Sequence, residues 1–179
     1  MKNSNILKIT HIDYSILALV RQTPMSGYGI RMVFQKTALG NYSGSPGTIY
    51  PALKRLEKIG VIEKKKHSNP KKQFLFAITK TGIEVLKKWL MRPISAQDVT
   101  KNLTIIILRF AFMDGSLTQR QKRNFLVSFR IAVKNYIVAL EEYYVKESKR
   151  MPLSGRQAFE YGIESYKTTL KWIQKTISS

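Results

Sequence analysis

Ser45, Gly47, Thr48, Tyr50, Lys54 and Arg55 fall on one side of a segment whose other side is Ile49, Ala52, Leu53 and Leu56. Hydroxyls at the start of a helix and cations towards its end are groups that reach base edges and phosphates in a major groove. Gly47 and Ala52 are small enough to permit close approach. Pro51 lacks a backbone N–H, so a loosened helical hydrogen bond is expected there. Shortly downstream, the stretch from Lys64 to Lys72 holds five lysines in nine residues: Lys64, Lys65, Lys66, Lys71 and Lys72. Lysine acts on phosphate as a point charge rather than as a base reader. Alone, either segment reads equally well as a solvated surface. In succession they point to a reading helix followed by a phosphate-straddling wing.

Other chemistries lack their residues. The chain has no cysteine, and its two histidines, His11 and His67, have no carboxylate at metal-ligand spacing. Gly40, Gly44 and Gly47 are not followed by the Lys-Ser/Thr of a phosphate loop, and Gly27-Tyr28-Gly29 is too short for a dinucleotide fingerprint. Glu141 and Glu142 are helix neighbours that do not share a face. No catalytic residue, metal or cofactor is expected.

The bulk charge agrees with a polyanionic partner. Thirty-one Lys and Arg face eleven Asp and Glu in 179 residues, a formal net charge of +20. Sixteen basic and four acidic residues lie in 1–91, fifteen and seven in 92–179. Such a charge also suits an architectural protein that coats DNA with little specificity, or an adaptor that binds a protein or an anionic membrane. The apolar stretch Ile105–Met113 is interrupted by Arg109 and too short to span a bilayer. With no signal-like run at Met1–Thr10, a cytoplasmic protein without membrane contact is expected.

The elements that would place these residues are mainly helical. A short helix over Asp13–Val20 stops at Thr23-Pro24. Ser26 caps a second that runs to about Leu39, with Gly40 as its stop. Ser45-Pro46 opens a third, and Gly60 closes it. Val61-Ile62 and the alternating Phe74, Phe76 and Ile78 then form a hairpin around the lysine run. A fourth helix, about Thr79–Met91, turns Ile83, Leu86 and Leu90 inward. The expected domains are a winged helix-turn-helix at 1–91, a linker at 92–98 and a helical dimerisation domain at 99–179. The latter reads as a helix over Val99–Met113, a long one over Thr118–Lys149 and a last one over Arg156–Ile177. Leu126, Phe129, Val133, Tyr136, Leu140 and Tyr143 line the long helix. Phe159, Ile163, Tyr166, Leu170, Ile173 and Ile177 make a heptad seam on the last. The first five of these are expected at a dimer interface, and some aromatics there would suit an effector pocket.

At Ile16-Leu17-Ala18-Leu19, Ser26-Gly27-Tyr28-Gly29-Ile30, Gly47 to Ile62 and Ile78-Thr79-Lys80-Thr81-Gly82, the chain resembles the PadR family of bacterial transcriptional regulators. The Ile49-Tyr50-Pro51-Ala52-Leu53 core followed by Leu56-Glu57-Lys58-Ile59-Gly60 is its most specific part. Leu108-Arg109-Phe110, Phe159 to Glu164 and Trp172-Ile173 resemble the longer subgroup with a helical C-terminal domain. The resemblance implies a homodimer on a palindromic operator, commonly a repressor, in some members relieved by a small aromatic or amphipathic ligand. Tyr28 and Pro51, which lie within these motifs, are also in the candidate DNA-binding set. Ser26 stands where His is frequent in the family and Phe76 where Tyr is, so no contact is carried onto either.

Overall fold

The computed structural model describes residues 9–37, 45–66 and 74–178, which fall into two compact units that meet in sequence between Leu90 and Met91.

In the first unit, α1 (His11–Gln22) starts at a reciprocal cap. Thr10 Oγ1 accepts the Asp13 N–H at 3.3 Å, and the Asp13 carboxylate accepts the Thr10 N–H at 2.7 Å. Ile16 to Val20 are buried along it, so α1 is the centre of this core. Ser26 Oγ accepts the Gly29 N–H at 3.0 Å and starts α2 (Gly27–Lys36). That helix ends at Lys36, with Thr37 extended; the expected Gly40 stop lies outside the described residues. α3 (Pro46–Lys58) buries Ile49, Ala52, Leu53 and Leu56, and Gly60 leaves it at a φ of 72°. That left-handed angle suits a residue without Cβ.

β1 (Ile62–Lys65) and β2 (Leu75–Ile78) pair antiparallel, Ile62 opposite Ile78 and Lys64 opposite Phe76. The alternation expected for the second strand fails. Ala77 is its buried residue, Phe76 and Ile78 are half-buried, and Phe74 precedes the strand and is exposed. Ile62, not the strand's phenylalanines, fills the core at this edge. Met25 adds a bridge to the hairpin: its N–H donates to the Phe76 carbonyl at 3.0 Å, and the Phe76 N–H to its own at 2.8 Å. α4 (Lys80–Met91) turns Gly82, Leu86, Trp89 and Leu90 inward, with Trp89 stacked on Tyr14 at 4.5 Å. Ile83, expected inside, is exposed, because Gly82 takes the place on the strand side.

The second unit starts earlier than the expected linker allows. Ser95 and Asp98 form another reciprocal cap, so α5 (Ala96–Lys101) begins inside 92–98. Asn102, at φ −134°, separates it from α6 (Leu103–Ala111), and the single helix expected over Val99–Met113 is two. α7 (Gln119–Glu147) and α8 (Leu153–Ser178) form an antiparallel hairpin joined through a 3-10 turn at Ser148–Arg150. Phe129, Val133 and Ile137 of α7 and Ile163 and Ile173 of α8 are buried. Tyr136 meets Tyr166 edge-on at 4.9 Å, and Phe159 stacks near Tyr143 and Tyr144 at 5.5 and 5.8 Å.

This pairing gives the α8 seam a partner within the chain. The expected interface residues Phe159, Ile163, Tyr166, Leu170 and Ile173 are buried or half-buried within one chain, against its own α7. A heptad line states that a helix needs an apolar partner, and here the preceding helix is that partner.

Among the described residues, Arg109 of α6 is the largest side chain with no exposure to solvent. It donates to the Arg92 carbonyl and lies 5.1 Å from the Phe125 ring centroid. Burial pulls its pKa down to about 10, the Arg92 charge acting in the same direction and Asp98 against it.

Candidate nucleic-acid interface

The side of α3 away from the core carries Ser45, Gly47, Tyr50, Pro51, Lys54 and Lys58 in solvent, with Thr48 half-buried. Ser45 does not cap the helix with its side chain; its hydroxyl lies 2.9 Å from that of Thr48. The two hydroxyls sit at the first turn of α3, a polar surface suited to phosphate or base edges. Pro51 is inside the helix but on its exposed side, where the missing N–H costs least.

Tyr50 is 45% exposed and Tyr28, at the first turn of α2, 56%. Each has a neighbour on α2. A Cβ on Gly27 would lie 2.8 Å from Tyr50 Cε1, so the bare Gly27 lets α2 approach the Tyr50 ring. The Arg31 guanidinium lies 5.8 Å from the Tyr28 ring centroid. Arg31 has no sequence signature as a site residue, since it reads as an ordinary helix-surface cation.

Arg55 has a partner within the unit. Its Nη2 donates to Asp13 Oδ1 at 2.6 Å, and the Asp13 side chain is wholly buried. The candidate cations of α3 therefore divide into the exposed Lys54 and an Arg55 engaged with α1.

Of the wing lysines, Lys64 pairs with Glu57 at 2.9 Å and Lys65 with Glu63 at 3.5 Å, both in solvent, where such pairs contribute only about 0–1 kcal/mol and yield readily to a phosphate. Lys66 is exposed. Lys71 and Lys72 lie outside the described residues. Phe74, 54% exposed where the chain enters β2, joins the surface beside these lysines. Sequence alone gave it to the core, because an aromatic at strand spacing ordinarily belongs there.

The Met25–Phe76 bridge ties the turn before Ser26, and so the start of α2, to the wing. Tyr28, the first turns of α3 and the hairpin strands belong to one compact unit. Among the described residues, no group of three His, Cys, Asp or Glu is placed to hold a metal, and no helix is long and apolar enough to cross a membrane.

Comparison with curated proteins gives no match. Among solved structures, Bacillus subtilis PadR in complex with p-coumaric acid is 24% identical, with 94% of this chain and 98% of that one covered at a TM-score of 0.45. The same protein in complex with operator DNA matches at 24% identity, 94% and 98% coverage and a TM-score of 0.42. The Vibrio cholerae virulence activator AphA matches at 13% identity, 93% and 96% coverage and a TM-score of 0.42. The family model for the transcriptional regulator PadR-like family matches residues 16–88, from the middle of α1 into α4. Over that winged unit, the chain is similar to the PadR-like family of transcriptional regulators.

Proposed function

We propose that the chain is a sequence-specific transcriptional regulator that binds a palindromic operator as a homodimer. The observation that carries this reading is the exposed polar edge of α3 and a lysine-bearing hairpin in the same compact unit. In this reading Ser45, Gly47, Thr48 and Tyr50 meet base edges from the N-terminal half of α3, and Pro51 lies against the groove wall. Tyr28, Lys54, Lys64, Lys65, Lys66, Lys71 and Lys72 bind phosphates.

The second copy has a candidate surface other than the α8 seam. Ile131, Val138 and Val145 are exposed at seven-residue spacing on α7, beside a concavity of about 490 Å³ lined by Ile94, Ile131, Asn135 and Tyr136 among others. The first part of α7 carries Arg120, Lys122, Arg123, Arg130 and Lys134 and no acidic residue before Glu141; Glu141, Glu142 and Glu147 follow. Two α7 helices packed antiparallel bring the basic part of one against the acidic part of the other, whereas parallel packing opposes like charges. A two-fold dimer reads a two-fold operator.

Repression relieved by a small amphipathic ligand is the regulatory output we assign. It is supported by the resemblance and by a concavity of about 420 Å³ with Phe110, Leu126 and Ile177 in its wall and Lys122 and Arg123 at its rim.

Selection of bound sequences from a random duplex pool, followed by competition, tests the reading. One palindrome should be preferred by about a thousandfold or more over random duplex. Affinity should fall about 10³–10⁵-fold between 50 and 200 mM salt if a dimer engages roughly 6–10 phosphates. Strong binding without preference would make the protein an architectural coat, and a flat salt profile would remove the DNA reading. A reporter gene downstream of the selected palindrome reads the sign of regulation.

A further inference from the structure

The Asp13–Arg55 pair holds a cation back at the edge of the surface that the proposed function assigns to DNA. Arg55 lies four residues after Pro51 and three before Lys58, both exposed, so the three share one side of α3. Its neighbours face solvent, yet its own side chain is only 28% exposed, turned to α1 and bonded to Asp13. Asp13 is unusually well placed for this. One carboxylate oxygen accepts both the Thr10 N–H at 2.7 Å and the Thr10 hydroxyl at 2.9 Å, which locks the side chain. The other oxygen is left for Arg55. Arg55 Nε is buried without a hydrogen-bond partner, so Asp13 is what retains the guanidinium.

We propose that Asp13 is a positioning residue for DNA selectivity: it withholds Arg55 from the phosphate backbone and pins the C-terminal half of α3 to α1. The inference rests on the DNA reading above. In a chain of net charge +20, sequence-independent attraction is already large. A further arginine on the backbone would strengthen binding to every duplex alike and so narrow the preference for the operator. A pinned α3 also presents Thr48 and Tyr50 at one fixed angle, which direct readout needs.

Binding of the full-length chain to a random duplex is measured as log affinity against log salt, with folding followed by thermal unfolding. Asp13→Asn keeps an acceptor for Thr10 and removes the charge that holds Arg55. Its slope is expected to be steeper by about 0.9 per protomer, equivalent to about three- to fourfold in affinity between 50 and 200 mM salt. Its preference for the selected palindrome is expected to fall. Asp13→Asn combined with Arg55→Gln restores an uncharged pair, and the wild-type slope should return. A merely structural pair would lower the unfolding midpoint in Asp13→Asn and leave its slope unchanged, which would overturn the inference. A double variant with a slope shallower than wild type would overturn it too, since Arg55 would then be touching phosphate in the native protein. Should Asp13→Asn fail to fold, Asp13→Ser, which also removes the charge, takes its place: a steeper slope supports the inference and an unchanged slope refutes it. A wild-type chain that does not bind duplex at all would defeat the DNA reading and this inference with it.

Discussion

Replacing Gly82 by Ala should destabilise the winged unit, although in an exposed helix the same change is favourable by up to about 1 kcal/mol. Gly82 lies in the first turn of α4, against the end of the α3–β1 connection. A Cβ there would stand 2.1 Å from the Val61 carbonyl oxygen and 2.7 Å from Ile78 Cγ1. Ordinary contacts of this kind lie more than 3 Å apart, so the carbonyl must shift by roughly an ångström. That carbonyl accepts the Thr79 N–H at 3.1 Å, and Thr79 Oγ1 donates to the neighbouring Gly60 carbonyl at 2.7 Å, so the shift strains both attachments of α4. Overpacking costs about 1–3 kcal/mol and a weakened hydrogen bond about 0.5–1.5. With the propensity gain set against them, a net loss of about 1–3 kcal/mol is expected. In a unit of this size, that lowers the midpoint by some 5–20 °C. Fluorescence of Trp89, stacked on Tyr14 in this core, follows the transition when Trp172 is replaced by Phe as a background. An unchanged or raised midpoint would refute the reasoning. Gly27→Ala is the contrast. Its Cβ would meet Tyr50 Cε1 at 2.8 Å, the outer part of a half-exposed ring that can swing away. Stability should change by less than about 1 kcal/mol, while preference among operators changes; equal stability losses in the two variants would show that Tyr50 is not free to give way.

Three further outcomes follow from the helical unit. Ile173→Ala, at a fully buried position, should cost about 2–5 kcal/mol in unfolding without altering the sedimentation of the proposed dimer, whereas Val138→Asp should dissociate that dimer with little loss of protomer stability. The reverse pattern would place the interface on the α8 seam instead. For Asp98, burial raises the carboxyl's pKa, but bonds from the Ser95 backbone and hydroxyl and the Arg92 guanidinium outweigh it and hold the group below 3.8. Its folded value lies under its unfolded one, so its contribution is complete above about pH 4–5 and lost as pH falls through the folded value. Asp98→Asn should therefore unfold with a flatter acid limb, besides losing about 1 kcal/mol from the cap at neutral pH; an unchanged acid limb would exclude Asp98 as a source of acid sensitivity.

The sides of α3 were legible because 3.6-residue periodicity separates Ile49, Ala52, Leu53 and Leu56 from Ser45, Gly47, Tyr50 and Lys54 whatever surrounds the helix. Helix ends were legible where a local pair makes them, as at Ser45-Pro46 and Gly60. The start of α5 was missed although Ser95 and Asp98 stand three residues apart, because Pro93 beside them reads as a linker. Basic charge and the lysine run pointed to a polyanion because they are sums over the chain and need no fold.

Tertiary structure alone decided which of these groups are occupied. Periodicity tells which residues share a face, not what covers that face. The heptad of α8 is the same pattern whether its partner is a second chain or α7, and the fold gave it α7. Arg55 and Lys54 are adjacent cations in sequence, yet a carboxylate 42 residues away engages only one of them. Phe74 is exposed and Ala77 buried because burial in a two-stranded hairpin follows the elements packed against it, not the size of its side chains. Each of these outcomes depends on segments distant in the chain meeting in space, and pairings of that kind leave no mark on the local order of residues.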